Sequence, residues 1–244
     1  MPSAAESSPA QPRLLLLDTS GRPGFVALAE GEALLAERQL DDSRRHARDL
    51  VPTIAELLQV PNWKAQDLEG VIVTRGPGSY TGLRVGLMAA KTLAYATSCV
   101  LIAVDTFTVL AQQAPSSISR VDVLADAQQD KVYQQSFRRQ GQNWQPVNEL
   151  GILPFADWLR RREPEASVTG PGLVKWEGHL PVEVPRLDSS LWVPRARGLL
   201  EVGLPRYRAG EHDDLWALEP LYCRPSAAEE RWEQRQARRS EAGG

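Results

Sequence analysis

Between a short apolar run, Gly70-Val71-Ile72-Val73, and an Ala- and Leu-rich segment, Val85 to Thr97, stands Thr74-Arg75-Gly76-Pro77-Gly78-Ser79-Tyr80-Thr81-Gly82-Leu83-Arg84. The apolar run reads as a buried strand, and the segment after the turn reads as a helix. Glycine and proline supply the unusual φ values and the tight reversal between them. Ser79 or Thr81 can cap the helix by accepting from its first free N–H groups. A phosphate-loop reading of the turn fails. A Walker loop needs Gly-Lys-Ser/Thr after four residues, but Thr81 stands five after Gly76 and no Lys follows. The dinucleotide pattern GxGxxG fails as well, because Thr81 takes the third glycine position.

On the helix, Gly82, Gly86, Ala90 and Ala94 recur every four residues and form one stripe of small side chains. Leu83, Leu87 and Leu93 flank it. Such a stripe lets another helix approach closely. Spacing by itself favours close packing within the chain's own core over contact with a partner.

The rest of the chain arranges itself around this unit. Leu14-Leu15-Leu16-Leu17 reads as a buried central strand ending at Asp18. Phe25 to Ala29 and Ala33 to Gln39 read as two more strands, joined by hairpin-short connections and therefore antiparallel. Asp42 or Ser43 is expected to cap a helix carrying Ala47, Leu50, Val51, Ile54, Leu57 and Leu58 on one face, with Pro52 kinking or dividing it. Val100 to Val104 is a strand, and Asp105-Thr106 is expected to cap a helix to about Gln113. Hairpins first and crossover helices later make a ribonuclease-H-like α/β unit with a mixed sheet.

After Ala114-Pro115-Ser116-Ser117 the pattern partly recurs. Val121 to Ala125 is a strand ending at Asp126, Lys131 to Arg138 alternates as a second, and Trp144 to Val147 is a third. Phe155 to Arg162 is a basic helix, and Ala166 to Thr169 is a short strand closed by Gly170-Pro171-Gly172. A helix is expected from about Ser189, with Pro194 in its first turns. The expected organisation is a disordered 1–12, two ribonuclease-H-like subdomains at 13–113 and 114–225, and a charged tail at 226–244. The last segment of the second subdomain is free to return to the first.

Composition narrows the chemistry. Of 244 residues, 24% are charged and the net charge is −3, which speaks against a large nucleic-acid-binding surface but not against a local basic patch. Cys99 and Cys223 have no metal or disulfide-framework spacing. No apolar run reaches the roughly 18 residues of a membrane span, and residues 1–12 lack a signal-peptide pattern. His46, His179 and His212 are solitary, so no helical metal pair exists. Ser79 and Thr81 are hydroxyls without a nearby base in sequence. Asp18 and Asp126 are the one candidate pair: at the carboxyl ends of two central strands they could face a shared cleft and hold Mg²⁺ for phosphoryl transfer. Turn-capping is the simpler role, because Asp126-Ala127-Gln128-Gln129 has no glycine to let the backbone wrap a phosphate.

Thr74 to Ala96, with Leu16-Leu17-Asp18-Thr19-Ser20, closely resembles the TsaB (YeaZ) family, in the Gcp-like, actin-like ATPase superfamily. Weaker matches follow in the expected order: His46 with Leu50-Val51-Pro52, Asp126 with Val132-Tyr133, Gly170-Pro171-Gly172 and Pro220-Leu221-Tyr222-Cys223-Arg224. The catalytic paralogue family TsaD shares the glycine turn but carries His-x-x-x-His in its first helix. Here Leu50 stands four residues after His46, so that pair is broken. The resemblance implies a cytoplasmic, non-catalytic activating subunit in tRNA threonylcarbamoyladenosine synthesis, with no cofactor. It implies a heterodimer with TsaD, joined by the ATPase TsaE, with tRNA reached through the complex and a homodimer possible when the chain is alone. It places the interface on the first two helices, at Leu50, Ile54, Leu57, Gly82, Val85, Gly86, Ala89 and Ala90, and so shifts the small-residue stripe to the partner side. One departure is Gln128, where many relatives have Arg. The alternative is a kinase or ATPase of the same fold working through Asp18 and Asp126.

Overall fold

A computed structural model describes residues 11–40 and 46–223, without the side chains of His46 and Ala47. The expected cap at Asp42 or Ser43 and the charged tail lie outside these residues.

The first sheet contains β1 (Arg13–Asp18), β2 (Phe25–Glu30), β3 (Ala33–Gln39), β4 (Gly70–Gly76) and β5 (Val100–Asp105). Their order is β3-β2-β1-β4-β5. β1 runs antiparallel to β2, and β1, β4 and β5 are parallel. A parallel strand of this kind is covered on both faces, which is why β1 is a run of leucines and not an alternation. Its odd and even positions serve different layers. Leu15 and Leu17 pack with Leu50, Ile54, Leu87 and Ala90 of α1 (His46–Gln59) and α2 (Tyr80–Thr97). Leu14 and Leu16 pack with Leu199, Leu200 and Leu204 of α6 (Ala196–Arg208), which returns from the end of the chain.

The second sheet contains β6 (Arg120–Asp126), β7 (Lys131–Gln140), β8 (Asn143–Pro146) and β10 (Ser167–Thr169), in the order β10-β6-β7-β8. β9 (Gly151–Pro154) pairs with β7 beside them. Between the sheets α3 (Thr106–Gln112) is shared, its Phe107, Leu110 and Ala111 packing on Val121, Val123 and Phe137. The other face is covered by α4 (Phe155–Arg161) and the short α5 (Leu173–Trp176), through Trp158, Leu173 and Trp176.

The fold therefore has the expected α/β class with two mixed sheets, and it differs locally from the sequence reading. Pro52 does not divide α1, which is one continuous helix. The side chain of Pro52 is exposed, while Leu50, Ile54, Leu57 and Leu58 are buried. Burying four such side chains, at about 1.5–3 kcal/mol each, outweighs one missing backbone bond. Asp105 does not cap α3 through its side chain; its carboxylate accepts from Arg75 Nε at 2.6 Å instead. The helix expected from Ser189 is two elements: a 3-10 turn at Ser189–Leu191 capped by Asp188, then α6. Arg195, after Pro194, is extended at φ −123° and interrupts them. The sequence reading did not include β9 or α5.

Candidate partner interface and inter-sheet cleft

The glycine turn closes on the loop after β1. Ser79 N donates to Ser20 O at 2.6 Å, and a Cβ on Gly78 would lie 2.3 Å from the same oxygen. Ser79 Oγ in turn accepts from Gly82 N at 3.3 Å, so Ser79 is the helix cap. Two of the amides at this helix start, those of Ser79 and Gly82, are thus engaged by the chain itself, where in a phosphate loop such amides would face the ligand. Gly76 takes φ +119°, and its space is closed by Leu221, whose N donates to Arg75 O at 2.7 Å. Tyr222 stacks on Tyr80 with ring centroids 4.4 Å apart, and its hydroxyl accepts from Arg84 Nε at 2.7 Å. The segment around Leu221 thereby lies across the mouth of the turn.

Asp18 is fully buried. Its Oδ1 accepts from Ser20 N at 3.1 Å, Ser20 Oγ at 2.6 Å and Thr74 Oγ1 at 2.5 Å. Asp126 lines an open cleft of about 540 Å³ with Ser20, Gly78, Tyr80 and Tyr222, and Asp18 does not. The Asp126 carboxylate accepts from Gln128 N at 3.1 Å and pairs with Lys175 at 3.2 Å. The expectation that both carboxylates face one cleft is therefore corrected: β1 carries Asp18 under the loop that follows it. The turn after Asp126 has three consecutive left-handed residues, Gln128, Gln129 and Asp130, at φ +60°, +48° and +55°. Backbone bonds hold it, with Lys131 N donating to Gln128 O and Phe155 N to Asp130 O. No cluster of three metal-ligating side chains occurs among the described residues. Burial pushes the Cys99 and Cys223 thiols upward, the opposite of nucleophile activation.

The small-residue stripe faces inward, and this corrects its assignment to a partner. A Cβ on Gly82 would stand 2.1 Å from Thr19 O, and one on Gly86 2.1 Å from Thr19 Oγ1. Ala90 and Ala94 are buried in the core beneath the first sheet. Leu57 is buried in the same core. At Gly82 and Gly86 the space is taken by Thr19, and Leu57, Ala90 and Ala94 are buried within the chain's own core.

The outer side of the same helix pair forms an apolar groove of about 720 Å³. Leu50, Ile54, Val85 and Ala89, four of the expected interface residues, line it. Val51 and Met88, each 64% exposed, also line it. The sequence reading put Val51 on the core face of α1, so its outward position was missed. Met88 was legible as facing away from the stripe, one hundred degrees per residue around the helix from Leu87.

A family model described as TsaD, tRNA N6-adenosine threonylcarbamoyltransferase, matches residues 34–186, more than half of the chain. The chain is 31% identical over 147 residues to the tRNA threonylcarbamoyladenosine biosynthesis protein TsaB of Bacillus subtilis, spanning 60% of this chain and 64% of that protein. It is 26% identical over 227 residues to TsaB of Escherichia coli, spanning 88% of this chain and 96% of that protein. YeaZ from Pseudomonas aeruginosa superposes with a TM-score of 0.75 at 27% identity, over 86% of this chain and 99% of the other. With the glycine turn, the two mixed sheets and these matches together, the chain belongs to the threonylcarbamoyladenosine-biosynthesis family that the TsaD model describes, and within it to the TsaB (YeaZ) group.

Proposed function

We propose that this chain is the non-catalytic, activating subunit of the machinery that installs threonylcarbamoyladenosine in tRNA. Its role is to hold a TsaD-type catalytic subunit in an active state, in a cytoplasmic complex that a TsaE-type ATPase joins. The pathway comes from the relatives, which are named tRNA threonylcarbamoyladenosine biosynthesis proteins. The observation that carries the subunit role is the apolar groove between α1 and α2, with Val51 and Met88 standing out at its rim. A contiguous exposed apolar patch of this kind marks a protein interface. Methionine suits such a surface because its flexible thioether adapts to a facing side chain. Within the proposed interface Leu50 and Ile54 form the floor, and Val85 and Ala89 the wall.

The kinase or ATPase reading has less support. Ser20 O engages the Ser79 amide, Asp18 is enclosed by Ser20 and Thr74, and Asp126 is paired with Lys175. The test is reconstitution with a TsaD protein from the same source, a threonylcarbamoyl donor and tRNA, followed by nucleoside analysis. The chain alone yields no modified adenosine, and adding it to the partner raises the yield. Turnover by the chain alone that disappears in Asp18→Asn or Asp126→Asn overturns the proposal.

A further inference from the structure

The chain is acidic overall, with a net charge of −3, yet one cavity has the opposite sign. It has a volume of about 330 Å³ and lies between the α4 side of the second sheet and the carboxyl end of α4. Four arginines line it, Arg120 and Arg138 from the sheet and Arg161 and Arg162 from the end of α4, against Asp122 and Glu163. Its floor is a closed polar relay. Asn148 Nδ2 donates to Gln134 Oε1 at 3.1 Å, Gln134 Nε2 to Ser136 Oγ at 2.6 Å, and Ser136 Oγ to Asp122 Oδ1 at 2.6 Å. Trp158 Nε1 donates to Asp122 Oδ2 at 3.1 Å. Asp122 is buried, and its carboxylate faces Arg162 as well as these neutral donors. With Glu163 it offsets two of the four arginines, which leaves the lining with an excess of positive charge.

The rim divides into fixed and available charge. Arg120 is paired with Glu163. Arg162 Nη2 donates to the carbonyls of Pro164 and Ala166. Arg138 and Arg161 are exposed and have no ion pair among the described residues. Basic residues in the last turn of α4 complement its dipole, which accounts for Arg160 and Arg161 but not for Arg120 and Arg138 on the sheet. A concave site with an excess of one sign of charge concentrates a counter-ion of the other. Guanidinium groups match phosphate in charge and in the geometry of their paired donors.

We propose that this arginine-rimmed cavity is a phosphate site for the tRNA backbone, with Arg138 and Arg161 as the contacting side chains and Arg120 and Arg162, offset by Glu163 and Asp122, as the fixed wall behind them. The choice of tRNA rests on the proposed function. The binding itself does not depend on the α1–α2 groove, so the two readings fail separately.

The test is equilibrium binding of fluorescently labelled tRNA to the full chain across a series of salt concentrations. Arg138→Ala/Arg161→Ala is compared with Arg38→Ala/Lys64→Ala, which removes the same charge from exposed positions elsewhere. The proposal expects the first variant to weaken binding about tenfold and to flatten the slope of log K against log salt by about 1.5–2. It expects the second variant to bind nearly as the wild type does. It also expects Arg138→Lys/Arg161→Lys to recover most of the affinity. Equal losses in the two alanine variants, or a lysine variant as weak as the alanine one, overturn the proposal. In a calorimetric arm with inorganic pyrophosphate, binding abolished by Arg138→Ala/Arg161→Ala while tRNA affinity is untouched assigns the site to a free phosphate ligand and overturns the tRNA source.

Discussion

At the end of β1 the Asp18 carboxylate accepts three hydrogen bonds from Ser20 and Thr74 and ties the first loop to β4. Removing it leaves buried hydroxyl and amide donors without their acceptor, at about 1–3 kcal/mol for each unsatisfied group. Asp18→Ala is therefore expected to lower the unfolding free energy by at least about 2 kcal/mol, read by urea denaturation of the isolated chain. Asp122 gives a pH signature. Burial raises its pKa, opposed by the bonds from Ser136 and Trp158 and by the Arg162 charge. Between the ordinary carboxylate range and the raised value, the folded chain binds the proton and the unfolded chain does not. Stability from this group is thus present at low pH and lost as pH rises through that interval. Compared with Asp122→Asn, which does not ionise, the wild type should lose ground as the pH rises above about 4, the ordinary carboxylate range. A gap between the two proteins that stays constant, or moves in favour of the wild type, contradicts this account.

Among the elements, α2 is the informative one, because its two sides have different jobs. Its inner stripe is small since Thr19 and β1 lie directly against it. Gly86→Ala forces a Cβ toward Thr19 Oγ1, and Ala90→Trp puts an indole where nothing is exposed. Overpacking of this sort costs about 1–3 kcal/mol, and more for the larger side chain. Both variants are expected to lower the melting temperature of the chain alone, with no partner present. The repeat Gly82, Gly86, Ala90, Ala94 was legible in the sequence, but its direction was not. A four-residue period marks one face of a helix without saying whether a strand or a partner meets it. The strands of the first sheet were legible because parallel, doubly covered strands read as continuous apolar runs. β9 and α5 were not: four residues each carry too little periodicity to separate strand or helix from loop. Pro52 misled for a related reason, since local preference is outweighed where the rest of a helix face is buried.

For the whole molecule, the chain's last described helix and segment complete its first half. α6 covers one side of the first sheet, and Leu221 and Tyr222 lie across the mouth of the glycine turn. We propose that the two folding units are therefore not sequential blocks: 13–113 takes α6 back from 114–225. At the cleft between the sheets the glycine turn is bonded to the chain's own Ser20 and Leu221, while an apolar groove lies across α1 and α2. This apolar face is the one proposed to carry the catalytic partner. The most direct measurement is the size of the species formed on mixing the chain with a TsaD protein from the same source, using Val51→Glu/Met88→Glu as the probe. Both side chains are well exposed, so the variant should keep the melting temperature of the wild type. A stable complex is expected with the wild type and separate components with the variant. A folded variant that still pairs as tightly as the wild type would contradict it.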